Sequence, residues 1–217
     1  MNWLVKTFAS SIGKKQIMAV TGLSFCLFVT VHLMGNLTIY AGKDSFISYV
    51  DRLHSFESLI TVAEFGLIFF AVLHIGMGLF LFLENRKARP APYAVKKGAG
   101  GQTIASTTAP YTGALILIFV IVHLIKFRFV DKMTINDFAI LSSTFADFNF
   151  WTLFYVAGVI VVAFHVSHGF WSGFQTLGLS HPKYMPFVER LGIIFSLIIG
   201  IGFASIPVFV LLKKALR

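Results

Sequence analysis

The hydrophobic positions of this chain fall into five long runs, separated by shorter stretches that hold most of the charged and turn-forming residues. Each run approaches the roughly 20 apolar residues that a helix needs to cross a hydrocarbon layer of about 30 Å. No alternation typical of a strand persists, and a backbone in lipid must satisfy its hydrogen bonds within each segment. We therefore expect an all-α integral membrane bundle, one domain over residues 1–217. The predicted spans are about 17–40, 58–83, 110–126, 150–176 and 191–212.

The connections between the runs have their own patterns. Residues 44–56 and 132–148 are amphipathic enough to lie along the outer membrane surface. Residues 86–108 form the longest connection, and their prolines and glycines predict a loop. The two prolines of SHPKYMPFVER predict a break between the last two helices.

Composition and charge agree with a lipid solvent. Hydrophobic residues make up 57% of the chain and charged residues only 12%, far from the balance of a soluble domain. The net charge of +9 does not indicate nucleic-acid binding, because the basic residues flank the apolar runs and form no single basic face. The densest basic cluster, ENRKARPAPYAVKKG, predicts a cytoplasmic N-terminus. The first run is too long for a signal peptide, so we expect it to remain in the protein.

Cysteine chemistry contributes little. The single cysteine, Cys26, lies in the first run, so the sequence predicts neither a disulfide framework nor a cysteine metal cluster. No C-x-x-C-H motif for covalent haem attachment and no G-x-G-x-x-G motif for a dinucleotide is present.

Five of the seven histidines lie inside predicted spans, and four of them, His32, His74, His123 and His165, take one position in each of the first four spans. Because successive spans run in opposite directions, their depths can be compared by the helical rise. His32 and His123 lie roughly 12 Å and 5 Å from the outer ends of their helices, whereas His74 and His165 lie roughly 24 Å and 22 Å from theirs. The histidines therefore predict two pairs, one in each half of the membrane.

Paired histidines in a helical bundle indicate haem. Neutral imidazole is the usual axial ligand of haem iron, and bundles build cofactor sites from side chains on facing helices. Gly78 and Gly169 each follow an inner histidine by four residues on the same face, where a glycine lets a flat macrocycle approach. The predicted axial ligands of two b-type haems are His32 and His123 for the outer haem and His74 and His165 for the inner haem.

The other histidines have simpler interpretations. His168 lacks the glycine spacing of His165, so we interpret it as a packing residue. His54 and His181 lie in connections and are predicted to be interfacial. A single intramembrane histidine is often only a hydrogen-bonded packing residue, so the haem interpretation depends on the four together.

Four stretches together resemble the cytochrome b membrane anchors of succinate:quinone oxidoreductases: TVHLMGNL, LHIGMGLFLFLENRKARP, LIFVIVHLIKFRF and FHVSHGFWSGFQTLG. The resemblance covers nearly the whole chain and is to the single-polypeptide, five-helix, two-haem type of succinate dehydrogenases and menaquinol:fumarate reductases. It implies a bacterial cytoplasmic membrane protein whose inner haem lies nearer the cytoplasm. It also implies that electrons pass between a membrane quinone, more often menaquinone than ubiquinone, and two cytoplasmic partners, a flavoprotein subunit and an iron–sulfur subunit.

Quinone chemistry moves two protons with two electrons, so an acid or base is expected near a haem. Glu64 is the only acidic residue inside a predicted span and lies roughly 15 Å outward of His74. It is our candidate for quinone proton transfer, or else a protonated packing residue bonded to a neighbouring helix. The outer rim offers further candidates: Asp51, Arg52, His54 and Glu57.

Two other functions remain open at this point. A proton-coupled transporter could use the buried histidines and Glu64 as a relay, although transporters usually have internal repeats and broken spans, and these spans contain almost no proline beyond Pro207. A cytochrome b anchor of a hydrogenase or formate dehydrogenase would share the chemistry but resembles the motif spacing less. The basic connections 86–97 and 180–190 either dock the soluble subunits or only anchor the helix ends.

Overall fold

The computed structural model describes residues 2–88, 103–131 and 135–215, and these residues are helical with no strand among them. The predicted all-α class is confirmed. The α-helices are α1 (Trp3–Ala9), α2 (Ser11–Leu37), α3 (Lys43–His54), α4 (Glu57–Lys87), α5 (Ile104–His123), α6 (Asp137–Thr144), α7 (Phe150–Thr176) and α8 (Met185–Ala215).

Five of these segments are long and apolar enough to cross a membrane, as the hydrophobic pattern predicts. They are Ser11–Ala41, Glu57–Lys87, Ile104–Arg128, Phe150–Thr176 and Met185–Lys213. The first ends in a 3-10 turn over Thr38–Ala41 and the third in a π-helical turn over Leu124–Arg128. The described chain is therefore a multi-pass membrane protein by length and composition.

Several helices extend beyond their apolar runs because their ends are capped by polar side chains. The side chain of Ser10 accepts a hydrogen bond from the backbone N–H of Gly13, so α2 begins before residue 17. Thr103 and Ser106 form a capping box that starts α5 well before residue 110. The predicted boundaries at these ends were too short, since hydrophobicity alone does not report a cap.

The predicted break between the last two spans is displaced. Pro186 lies in the first turn of α8, where a missing backbone N–H costs nothing, so α8 already begins at Met185. The break occupies residues 177–184. The predicted loop 86–108 is partly helical. Arg86 and Lys87 continue α4, and residues 104–108 belong to α5. Residues 89–102 lie outside the described residues.

The predicted amphipathic segments both contain a helix, α3 and α6. Gly42, at a φ of +106°, makes the turn into α3, a backbone conformation that favours glycine. The two helices pack together through Phe46 and Phe138. At this end of the bundle the side chains of Ile39, Phe46, Leu141, Phe145, Tyr155 and Ile206 form a buried core cluster.

The long helices pack through small residues, as is common in membranes. The contact between α7 and α8 is the most extensive, and a Cβ at Gly200 would lie 2.9 Å from the Cβ of Ala163. Helix α2 packs against α4, α7 and α8, and α5 packs against α7. One face of α4 carries exposed apolar residues, Val62, Phe65 and Val72, each 67–69% exposed. Such a face is expected to contact lipid.

Candidate functional site

The two predicted outer ligands lie side by side. His32 on α2 and His123, the last residue of α5, have ring centroids 6.0 Å apart and ring planes at 86°. The π-helical turn begins directly after His123, a local widening of the helix that is frequent at functional sites. The structure therefore brings together residues that are 91 positions apart in the sequence.

The separation of the outer pair fits a metal held between two imidazoles. A bond of about 2 Å from the metal to each nitrogen, with about 1 Å from nitrogen to ring centre, puts two opposed centroids about 6 Å apart. The observed 6.0 Å agrees with that sum. The centroid distance is therefore the length expected of two imidazoles on opposite sides of one metal.

The outer pair lies among aromatic rings. Phe28 stacks on His32 with centroids 5.4 Å apart, and Phe119 stacks on His123 at 6.1 Å. Phe203 of α8 closes the His32 side at 5.6 Å. Such a lining is apolar, and the neutral imidazole is the form that ligates iron.

Two buried polar atoms beside the outer pair have no hydrogen-bond partner: Nδ1 of His123 and the hydroxyl of Tyr155. The two rings are in contact, with centroids 5.9 Å apart. Buried polar atoms without a partner are uncommon in folded proteins. A metal on one nitrogen of His123 would still leave the other nitrogen requiring a partner.

The two predicted inner ligands also approach each other. His74 on α4 and His165 on α7 are both half-buried and lie within electrostatic range of each other. Nδ1 of His74 is 3.1 Å from Oγ1 of Thr21, and Nδ1 of His165 is 2.9 Å from Oγ1 of Thr112. The sequence analysis missed both threonines.

A sequence repeat could have identified these threonines. The chain contains FVTVHL at residues 28–33 and FVIVHL at residues 119–124, and Thr-Gly stands eleven positions before the histidine in each copy. In both copies the inner histidine follows that threonine by 53 residues. Each threonine and histidine of the second copy follows its counterpart in the first by 91 residues. Gly78 and Gly169 are separated by the same number of residues.

The glycines near the inner pair have different surroundings. A Cβ at Gly22 would lie 3.1 Å from Cε1 of His74, and one at Gly113 would lie 3.7 Å from Cε1 of His165. These glycines, also missed from sequence, let the helix backbone approach the imidazoles. Gly78 and Gly169 were predicted to leave room for a haem. A Cβ at Gly78 would lie 3.7 Å from the sulfur of Met18, whereas Gly169 is exposed and a Cβ there would have no atom within 4 Å.

Glu64, the predicted proton-transfer residue, is held by an arginine. Both of its carboxylate oxygens accept hydrogen bonds from the guanidinium of Arg128, at 2.7 Å and 3.0 Å. Arg128 ends the π-helical turn that follows His123, so the ion pair joins α4 to the segment that carries an outer ligand. A bidentate pair of this kind fixes the orientation of the carboxylate.

The remaining histidines lie where the sequence suggested. His168 packs edge-on against Trp171 at 4.9 Å, and its Nδ1 is buried without a partner. His54 and His181 are exposed at helix ends or connections. Within the described ranges no three or more His, Cys, Asp or Glu side chains gather into a metal-binding group.

A comparison of the chain with protein-family models, with curated proteins and with solved structures finds no match. A function for the chain must therefore be argued from its own residues and contacts.

Proposed function

We propose that this chain is the haem-carrying membrane subunit of a succinate:quinone oxidoreductase, in either direction of the reaction. It passes electrons between a membrane quinone, with menaquinone favoured, and a soluble module made of a flavoprotein subunit and an iron–sulfur subunit. The observation that carries the proposal is the contact between the rings of His32 and His123, while His74 and His165, on two further helices, lie within electrostatic range of each other. The motifs that resemble cytochrome b anchors supply the more specific identity.

The spacing of the two pairs suits electron transfer across the membrane. On α2 the threonine that contacts the inner pair and the histidine of the outer pair are eleven residues apart, or about 16 Å of helical rise. Two macrocycles centred at such levels would have their edges close together. When bound, the haems supply one-electron chemistry, and the chain holds and orients them.

Glu64 and Arg128 are the proposed polar groups of the quinone site. They form an ion pair beside the segment that carries His123, in a part of the bundle that is otherwise aromatic. The carboxylate accepts and releases the protons of the quinone, and the guanidinium fixes its orientation.

The soluble partners are proposed to dock on the cytoplasmic face of a bacterial inner membrane, with the N-terminus on that side. An open surface depression of about 550 Å³ lies between the start of α2 and the end of α4, and Lys15, Lys87 and Glu84 contribute to its lining. Cationic side chains at that level suit the haem propionates or the acidic surface of a partner.

A visible redox spectrum of the purified protein tests the haem assignment. We expect two low-spin b-type haems, and we expect His32→Ala or His123→Ala to remove only the outer one and His74→Ala or His165→Ala only the inner one. Absence of haem, or survival of both haems with unaltered axial coordination in any one of these variants, would overturn the proposal. Co-purification with a flavoprotein that interconverts succinate and fumarate separates this assignment from a hydrogenase or formate dehydrogenase anchor.

The quinone role of Glu64 has its own test. Glu64→Gln keeps the size of the side chain and a hydrogen bond to Arg128 but removes the carboxylate. Turnover with quinone should fall at least tenfold while both haems remain bound, and turnover with a soluble electron acceptor should be unchanged. Equal turnover with quinone in the variant and the parent would exclude Glu64.

A proton-coupled transporter is the second candidate, because the internal repeat is a feature of many transporters. In that case the four histidines and Glu64 would form a proton relay. The repeated positions, however, are histidines together with the residues that contact their rings. The same spectrum decides between the two functions, since a relay needs no pigment.

A further inference from the structure

We infer that Thr21 and Thr112 are positioning residues that fix the tautomer of the two inner histidines, so that each imidazole presents Nε2 for coordination. The inference deepens the proposed function and relies on it for the identity of the metal group. The tautomer itself follows from hydrogen bonds within the chain, so it can be tested separately.

The contacts of His74 leave one proton arrangement. The hydroxyl of Thr21 has a single proton, which it donates to the carbonyl oxygen of Ile17 at 2.8 Å or of Met18 at 3.2 Å. With its proton so placed, the hydroxyl accepts from Nδ1 of His74. The Met18 carbonyl oxygen also lies 3.2 Å from the same Nδ1 and can never donate. The carbonyl contact therefore indicates a proton on Nδ1 of His74, which leaves the lone pair on Nε2.

The contacts of His165 repeat this logic. The hydroxyl of Thr112 donates within its own helix, to the carbonyl oxygen of Ala109 at 3.1 Å or of Thr108 at 3.3 Å. Its oxygen then accepts from Nδ1 of His165 at 2.9 Å. The backbone of Ala109 also interacts with the His165 ring, and a carbonyl oxygen can only accept. Nε2 of His165 is again the nitrogen with a free lone pair.

The agreement between the two sites is unlike chance packing. In each site the threonine is buried, stands directly before a glycine whose backbone lies beside the imidazole, and belongs to the spanning helix that precedes the span with the histidine. A threonine in a helix commonly bonds only its own backbone, whereas these two also bond a histidine on a neighbouring helix. The outer pair has no such element: Nδ1 of His123 is without a partner.

Hydrogen bonding at Nδ1 has an electronic consequence at a metal. An acceptor for the second ring nitrogen raises the basicity of the ligating nitrogen and fixes the ring orientation. A more basic imidazole stabilises oxidised iron, which lowers the reduction potential. Loss of either threonine hydroxyl should therefore raise the potential of the inner haem and leave the outer haem unchanged.

The first experiment is a redox titration of the intact complex carrying Thr21→Val, Thr112→Val or both. We expect each single variant to raise the midpoint of the inner haem, by similar amounts, and the double variant to raise it by about their sum or to release that haem. Thr21→Ser and Thr112→Ser should restore the parent value, because serine keeps the hydroxyl. Thr30→Val is the matched control, because the Thr30 hydroxyl donates to the Cys26 carbonyl oxygen of its own helix.

The outcomes are decisive in both directions. No shift in the valine variants, the same shift in both haems, or serine variants that behave like the valine variants would overturn the inference. Loss of the inner haem in the valine variants with rescue by serine would support it.

A second experiment separates this inference from the proposed function. If the purified full-length chain contains no haem, the proposed function fails, but the tautomers can still be read from the ¹⁵N chemical shifts of the labelled histidines. We expect Nδ1-protonated rings at His74 and His165. After its threonine is replaced by valine, each Nδ1–H loses the hydroxyl acceptor, and its ¹⁵N shift should move toward that of a more weakly hydrogen-bonded N–H. A predominantly Nε2-protonated ring at either position in the parent chain would refute the assignment.

Discussion

Replacing Gly158 by alanine should disturb the outer histidine pair through a phenylalanine ring. A Cβ at Gly158 would overlap the ring of Phe119, with Cε2 at 2.5 Å and Cγ at 2.9 Å, where ordinary contacts begin at 3.4 Å. The ring must therefore retreat by about 1 Å. It has little room to do so, because it is packed against His123 and Tyr155 at centroid distances of 6.1 Å and 5.5 Å.

The size of the effect follows from two opposing contributions. Overpacking of this kind costs about 1–3 kcal/mol, and alanine in a helix gains about 1 kcal/mol over glycine. Gly66→Ala in α4 is the matched control, because a Cβ there has nothing within 4 Å and keeps only the gain. Gly158→Ala should therefore be less stable than Gly66→Ala by about 1–3 kcal/mol.

Unfolding in mixed micelles, followed by far-ultraviolet circular dichroism, measures this difference. The absorption spectrum then tests the second step, since displacement of Phe119 should broaden the bands of the proposed outer haem and spare those of the proposed inner haem. Equal unfolding midpoints for the two variants, together with an unchanged outer spectrum, would show that the Phe119 ring is not confined as described.

Three further predictions concern stability. Gly35→Ala places a Cβ 2.6 Å from Cζ of Tyr49, so it should push α3 away from α2. The free energy of unfolding, measured by the same assay, should fall by about 1–3 kcal/mol. Tyr40→Phe removes a 2.6 Å hydrogen bond to Ser205 between the end of α2 and α8, at a cost of about 0.5–1.5 kcal/mol. Thr103→Ala removes the N-cap of α5, costs about 1 kcal/mol, and should speed amide exchange in the first turn of that helix.

The spans and the histidine pairing could be predicted because both depend on simple lengths. Apolar runs report the thickness of the hydrocarbon layer, and the helical rise converts residue numbers into depth. Depth alone grouped His32 with His123, and in the structure their rings adjoin. The helix ends could not be placed in this way, because caps such as Ser10 and Thr103 are local hydrogen bonds between polar residues outside the apolar runs.

The residues around the histidines were harder to predict than the histidines themselves. A threonine in an apolar run usually bonds only its own helix, so Thr21 and Thr112 carry no signal singly. Their signal is the repeat, in which both stand at the same position relative to a histidine. The partner of Glu64 was missed for another reason: Arg128 reaches it from a π-helical turn, which hydrophobicity does not report.

The repeat also relates the members of each histidine pair. In each pair the two members occupy equivalent positions of the two copies, His32 with His123 and His74 with His165. Each pair therefore takes one member from each copy. Neither copy alone can form a pair, and both pairs depend on the docking of α2 and α4 against α5 and α7. Helix α8, which has no counterpart in the repeat, packs on α7 and α2 and so holds one helix of each copy.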